Sequence, residues 1–261
     1  MQSGGHLENI TNREHFSISQ VNEYLKCGMS YYYKYVEGVP TKPLGHKALQ
    51  GSAIDDSSNK HFTRKIMLDD NGMNQQDFID NAVYYHDVNK DEHSFDEPVP
   101  NSRDKVARLG KLYHETHAQN IEAFSVQSKL ETTMEDTSKF IGYADLVTTD
   151  GTVIDNKVTG KLMATENNVY DKLSRHIQIV KYADILNLDT VGLAVLHNLK
   201  TPVAYFFKTK ISTTDKDIVN KRIEMVWNSI KARHFLPTAS DSWACSEKWC
   251  SFYDVCEFGR K

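Results

Sequence analysis

The sequence has no apolar run approaching the ~18 residues of a membrane span, so no transmembrane helix is expected. Its opening, MQSGGHLENITNREHF, lacks both the basic and the apolar stretch of a secretion signal, and a cytoplasmic setting is the expectation. Cysteine is scarce. Only Cys27, Cys245, Cys250 and Cys256 occur, and in a cytoplasmic chain such a set argues for a metal or cluster before disulfides. A strong positive balance is also missing: the net charge is −4, which does not by itself announce a nucleic-acid binder.

What is present is enough for a soluble core, with 39% hydrophobic and 10% aromatic residues in 261. That length suits one large domain, or a domain with an insertion. The charge is unevenly spread. Residues 69–97 hold nine acids against Lys90 alone, a local −8, so the remainder carries +4. A mildly basic body beside an acidic segment is compatible with a DNA channel.

The stretch FIGYADLVTTDGTVIDNKVTGK, residues 140–161, reads as two strands joined at Thr149-Asp150-Gly151, a hairpin-type turn signal. Into these apolar strands the chain sets Asp145, Asp155 and Lys157. Charges are seldom buried unless paired or bound to a metal. Asp155 and Lys157 are two apart, so on a strand they share a face. Two readings fit: a centre in which carboxylates hold a divalent cation that activates water against a phosphate, or a structural ion pair.

Around this centre, Phe16 to Val36 has helical apolar spacing from an N-cap at Ser17 or Ser19, and its tyrosines read as a core face or a base-stacking platform. A helix from Ala48 towards Arg64 carries Asp55 and Asp56, which read by themselves as a solvated helix face. Helices over Gln75 to His86 and Arg103 to Phe124 flank a loop with Pro98 and Pro100. His114 and His117, one turn apart, are weighed as metal ligands against a solvated helix. Strands follow at Ser125–Met134, Val191–His197 and Val203–Lys210, with helices over Asn168–Leu188 and Thr213 to Arg233. Gln178 and Tyr182, spaced i, i+4, share one helix face. The terminal cysteines run C-x4-C-x5-C without the C-x2-C of most zinc ribbons. With Cys27 they make four thiolates, the ligand count of a [4Fe–4S] cluster; zinc on the same thiolates, or free thiols, are the alternatives.

Gly142-Tyr143-Ala144-Asp145 followed by Ile154-Asp155-Asn156-Lys157 resembles the D…(D/E)-x-K core of the PD-(D/E)XK nuclease superfamily, and more narrowly the RecB-like exonucleases of phages and bacterial recombination complexes. The segment from Ser17 through Cys27 to Tyr35 is similar to their opening helix, though Gly28 stands where proline is usual. Gln50-Gly51 to Asp55 is similar to the G-(S/T)-x-x-H segment, with Asp55 in the histidine's place, and Gln178 with Tyr182 resembles the Q-x-x-x-Y motif. The resemblance implies an α/β restriction-endonuclease-like core over 1–261, a mixed central sheet flanked by helices. Residues 69–125 would be a helical acidic insertion, 126–210 the catalytic sheet with its Q-x-x-x-Y helix, and 240–261 a cysteine segment joined to Cys27. It further implies metal-dependent DNA hydrolysis, with Mg²⁺ or Mn²⁺ held by Asp55, Asp145, Asp155 and the Asn156 carbonyl. Lys157 would act on the attacking water, and Gln178 and Tyr182 would position the lysine or the scissile strand. Cys27, Cys245, Cys250 and Cys256 would hold the cluster, or a structural Zn²⁺. DNA is the implied partner, with a single-strand annealing or recombination protein beside it, in a bacterial or phage-infected cell and without a membrane. A CRISPR adaptation nuclease with the same cluster and a catalytically inactive DNA-binding subunit are the alternatives.

Overall fold

In the computed structural model the described residues are 15–68, 70–160, 169 and 172–259. The expectations for the first fourteen residues and for the start of the Asn168 helix lie outside them. Seven α-helices are described: α1 (Ile18–Lys26), α2 (Gly28–Tyr31), α3 (His46–Leu68), α4 (Gln75–Asn89), α5 (Val99–Tyr113), α6 (Ile177–Ile185) and α7 (Thr213–Lys231). Five strands, β1 (Ala123–Thr133), β2 (Lys139–Thr148), β3 (Thr152–Thr159), β4 (Thr190–His197) and β5 (Val203–Lys210), form one sheet in the order β1-β2-β3-β4-β5. β2 and β3 are antiparallel, β3 and β4 parallel, and β4 and β5 antiparallel. The sheet is therefore mixed, as expected. The parallel step needs a long crossover, and α6 lies in it. Among the described residues no helix is long and apolar enough to cross a membrane.

The β2–β3 hairpin closes where the turn residues demand. Gly151 has φ +76, which a side chain would strain, and its N–H returns to the Thr148 carbonyl at 3.0 Å. Asp150 accepts from the Thr148 and Thr152 hydroxyls, fixing the loop. From this turn the register pairs Leu146 with Ile154. Both side chains enter a core with Ile54, Phe62, Phe78, Val106 and Leu109 of α3, α4 and α5. Alternation then sends Asp145, Asp155 and Lys157 to the opposite face.

Several helices depart from the sequence expectations. α5 begins at Val99, ahead of Pro100, because first-turn N–H groups have no helical partner and proline costs nothing there. It ends at Tyr113, passing into a π-helical turn over His114–Ala118 instead of running to Phe124. His114 and His117 are buried, not solvated, and their Nε2 atoms lie 2.9 Å from the Met73 carbonyl and 3.5 Å from that of Val195. The helix expected from Asn168 is interrupted by a turn at Ser174 and Arg175, and His176 is extended before α6 begins.

Residues Pro43–Lys129 and Tyr143–Lys216 form one compact unit, and Met1–Lys42, Leu130–Gly142 and Asp217–Lys261 another. In the latter, Phe16 packs on Phe140 and Trp227, whose indole N–H donates to Asp136 at 2.9 Å. Tyr31 and Tyr35 are buried, and Tyr31 and Tyr33 stack on Phe235 and Phe252. The tyrosine cluster is thus mainly packing. The single helix expected over Phe16–Val36 is broken at Cys27, which is extended (φ −167, ψ 120) and caps both α1 and α2. Gly28 follows because a Cβ there would lie 2.6 Å from the Leu236 backbone N and O. Proline would meet the same obstacle. We expect Gly28→Ala to lower stability by about 1–3 kcal/mol, as overpacking does, in a denaturant titration. An unchanged midpoint would mean that the 235–236 segment yields freely.

Candidate active site

Continued one residue beyond the paired Leu146–Ile154, the register would bring Asp145 towards Asp155, and the Asp155 charge raises the Asp145 pKa. Cross-strand neighbours lie about 5 Å apart, and like charges so placed repel. The main-chain N–H of Asn156 donates to Asp145 Oδ2 at 3.2 Å, and the Gln127 amide approaches Oδ1 at 3.4 Å. Asp155 is 2% exposed. Its Oδ1 accepts from Lys157 Nζ at 3.0 Å. Oδ2 lies 2.7 Å from the same ammonium, yet no hydrogen bond of good geometry reaches it.

The third carboxylate comes from α3. Asp55 stands near enough to Asp145 and Asp155 to feel both charges, and it takes a hydrogen bond from the Asn156 side chain. Its neighbour Asp56 turns to Lys60 and Asn81, each 2.8 Å away. Burial first, then Asp145 and Asp155, push the Asp55 pKa up to about 8. Burial and then Asp155 raise Asp145 to about 6, against the Asn156 N–H and Lys157. Asp155 is raised by burial, with Lys157 opposing. For Lys157, burial pulls the pKa down, but Asp155, Asp145 and Asp55 together overcome it and hold the side chain as an ammonium. Three carboxylates thus share one ammonium: Asp155 is buried, Asp55 and Asp145 are half-buried, and the Lys157 side chain is 45% exposed.

α6 supplies the remaining predicted residues. Tyr182 is buried; desolvation and the charges of Asp145 and Asp155 raise its pKa to about 12, so it keeps its proton. Gln178 is half-buried one turn earlier on the same helix. The structure therefore brings Asp55, Asp145, Asp155 and Lys157 together, with Asn156 between them and Tyr182 within range of two acids.

Sequence reasoning missed four neighbours. Tyr113 and Ser58, both buried, bond Asn156 from α5 and α3. Gln127 carries φ +46, rare for a side-chain-bearing residue within a strand, and reaches Asn59 as well as Asp145. His176 is the N-cap of α6; burial and the Lys157 charge lower its pKa to about 4. Only His176 had a sequence signal, two residues ahead of Gln178. The others depend on contacts 43 to 98 residues apart, or on a backbone angle that no motif records.

The chemistry of the donor set fits a hard divalent cation: oxygen ligands only, negative charge in excess, and one buried carboxylate oxygen without a hydrogen-bond donor. In the other unit Cys27, Cys245, Cys250 and Cys256 line one small cavity, and Cys27 Sγ accepts from the Thr238 N–H at 3.4 Å. Burial raises the Cys250 pKa. Among the described residues no three His, Cys, Asp or Glu side chains converge to metal-binding distance as they now stand.

No curated protein matches the sequence. Among solved structures, a protein from Eubacterium rectale named "Putative exonuclease" is similar in fold, with TM-score 0.58, 10% identity and coverage of 91% of this chain and 88% of that one. A second, SSO0001, covers 80% of this chain and 96% of its own at 15% identity, with TM-score 0.38. The model of the PD-(D/E)XK nuclease superfamily matches residues 15–257, nearly the whole sequence. With its mixed sheet and hairpin-borne D…D-x-K residues, the chain belongs to the PD-(D/E)XK nuclease superfamily.

Proposed function

We propose that this nuclease is a metal-dependent deoxyribonuclease of the RecB-like type, cutting DNA exonucleolytically in phage replication, recombination or repair. The observation that carries the reading is the convergence of Asp55, Asp145 and Asp155 on the single ammonium of Lys157. Asp145, Asp155 and Asp55, with the Asn156 carbonyl, would hold Mg²⁺ or Mn²⁺. When bound, the cation would supply Lewis-acid activation of water and neutralise charge at the scissile phosphate. Lys157, held protonated by its three acidic neighbours, acts as a donor: it orients the attacking water and stabilises charge developing on phosphate oxygen. Tyr182 remains a neutral phenol beside the acids, and with Gln178 it positions the lysine or the scissile strand.

The four cysteines are assigned to a [4Fe–4S] cluster, or to zinc, that ties the terminal segment to the first helix. Their common cavity and the N–H donated to Cys27 Sγ support this. A single-strand annealing or recombination protein as partner rests on the family resemblance.

End-labelled duplex and single-stranded DNA with Mg²⁺ or Mn²⁺ test the reading directly. Asp145→Ala, Asp155→Ala and Lys157→Ala should each abolish cleavage while leaving folding and much DNA affinity intact. Asp55→Ala should cut the rate more than tenfold, ~1.4 kcal/mol or more of transition-state stabilisation. Asp56→Ala should do little, since one helical step turns a side chain away by about a hundred degrees. Near-native rates in any of the first three would move the active site elsewhere.

The raised carboxyl pKa values set a pH dependence. A carboxyl whose folded pKa lies above its unfolded 3.8 favours folding at low pH and loses that contribution as pH rises through the folded value. The metal-free protein should therefore lose stability from about pH 4, through 6 for Asp145 and 8 for Asp55. Metal-free Asp55→Asn should be more stable than wild type at pH 9, by on the order of 2 kcal/mol, and not at pH 4. Melting curves at the two pH values decide it; parallel curves would remove Asp55 from the cluster.

Anaerobically purified protein should be brown, with absorbance near ~400 nm. Cys27→Ser should bleach it as fully as Cys250→Ser. Colourless protein with stoichiometric zinc would replace the cluster but keep the staple.

A further inference from the structure

Beside the carboxylates, the edge strand β1 carries a residue in an unusual conformation. Gln127 has φ +46 in the middle of Ala123–Thr133, a value that an L side chain seldom adopts and that a strand does not call for. Glycine or asparagine would take it at less cost. Core packing does not account for a glutamine there, since the residue is exposed. The conformation does aim the carboxamide. Its Nε2 lies 3.4 Å from Asp145 Oδ1 and 3.4 Å from Asn59 Oδ1, so each of its two N–H groups has an acceptor. Asn59 is four residues beyond Asp55 on α3, on the same side of the helix. One amide therefore reaches from the edge strand both to a strand-borne acid and to the helix that bears another.

We propose that Gln127 is a positioning residue: its strained main chain aims a carboxamide at Asp145, anchors it on α3 through Asn59, and so presets the strand-borne carboxylate for a divalent cation. This rests on the metal-centre reading above. The Asn156 main-chain N–H holds Asp145 Oδ2 at 3.2 Å and Gln127 holds Oδ1, so the two donors together fix the plane of the carboxylate. Each oxygen keeps a further lone pair for a cation. Without the amide only one oxygen is restrained, and repulsion from Asp155 turns the group away. The amide has one useful orientation. Asp145 is ionised when it binds a cation, and a carboxylate only accepts, so a flipped Gln127 would set oxygen against oxygen. Asn59 can turn its own amide to follow such a flip; Asp145 cannot. Main-chain strain held in return for a re-aimed side chain is a pattern of active sites and of the bulges beside them. Gln127 acts through Asp145 and touches no substrate in this assignment.

Gln127→Gly and Gln127→Leu separate the amide from the backbone. Glycine takes the positive φ freely and lacks the side chain. Leucine keeps a stem of similar size at the same main-chain cost and lacks the amide. The test measures Mn²⁺ binding by calorimetry on the metal-stripped full chain, beside cleavage rate and melting temperature. Both variants should lose Mn²⁺ affinity by about threefold or more, the modest factor that suits a charge-assisted hydrogen bond to a half-buried carboxylate. The glycine variant should do so while melting no lower than wild type, because strain leaves with the amide. Asn59→Ala keeps the bond to Asp145 and should lose less. Native Mn²⁺ affinity in both Gln127 variants, whatever their melting temperatures, would overturn the proposal. A loss confined to one of them would overturn it too, since the effect would then belong to the backbone or the stem. If one variant fails to fold, the other decides alone. Asp145→Ala separates this failure from that of the underlying reading. If it weakens Mn²⁺ binding while both Gln127 variants bind normally, the positioning role alone is wrong. If Asp145→Ala also binds normally, the metal centre itself is misassigned and the positioning role goes with it.

Discussion

The unit carrying the candidate site is shaped by one electrostatic imbalance: three carboxylates beside one ammonium, with Asp155 buried and Asp55 and Asp145 half-buried. Burying one ionised carboxylate, Asp155, is costly, and two half-buried acids beside it add repulsion. Nothing in hairpin or helix formation requires this. Leu146 and Ile154 would pack equally well against α3, α4 and α5 with neutral residues beside them. The apolar rows on one face of the sheet sustain the acids on the other, because the two-residue period ties the faces together. A slip of one residue in register would send Asp155 into the helical core and Ile154 into the site.

The acids are restrained by unequal means. Asp155 has the ammonium, Asp145 has the Asn156 main-chain N–H and the Gln127 amide, and Asp55 has the Asn156 side chain. The ordering of donors follows the chain. β-hairpin residues can reach main-chain N–H groups of the partner strand, whereas a helix-borne acid needs a side chain sent across to it. Burial raises both carboxyls; Asp55 then feels two acids where Asp145 feels one and has more donors, so Asp55 stands higher, about 8 against about 6.

Legibility in the sequence followed the distance over which each feature is encoded. The hairpin was readable because Thr149-Asp150-Gly151 and the flanking alternation lie within a dozen residues, and the mixed sheet agrees with the expected fold. Helix limits were readable only where local chemistry fixed them. Local pattern places Pro100 in a loop although it lies in a first turn, and gives Phe16–Val36 as one helix although Cys27 breaks it. The cause of that break is the approach of the Leu236 backbone to Gly28, some two hundred residues away, which no local pattern could announce. The same holds for the buried imidazoles of His114 and His117. Their helical spacing suggested solvent, but each ring meets a main-chain carbonyl of another segment. Tyr113, Ser58 and Gln127 were invisible for the same reason, while Asp55 was singled out only because a family resemblance marked its position.

A single hairpin shows how far the imbalance is local. Asp150 sits at its turn, where Lys208 and the Thr148 and Thr152 hydroxyls all donate to it and hold its carboxyl well below the usual range. Five residues to either side along the same hairpin, Asp145 and Asp155 are pushed the opposite way. The residue type is the same, and the difference lies in burial, in neighbouring charges and in donors per carboxylate. At the turn, solvent and three donors serve one acid; in the site, one ammonium serves three. A structural ion pair would need only matched charge, as at Asp150 and Lys208. Excess negative charge gathered around one buried carboxylate is instead the arrangement that a divalent cation would neutralise.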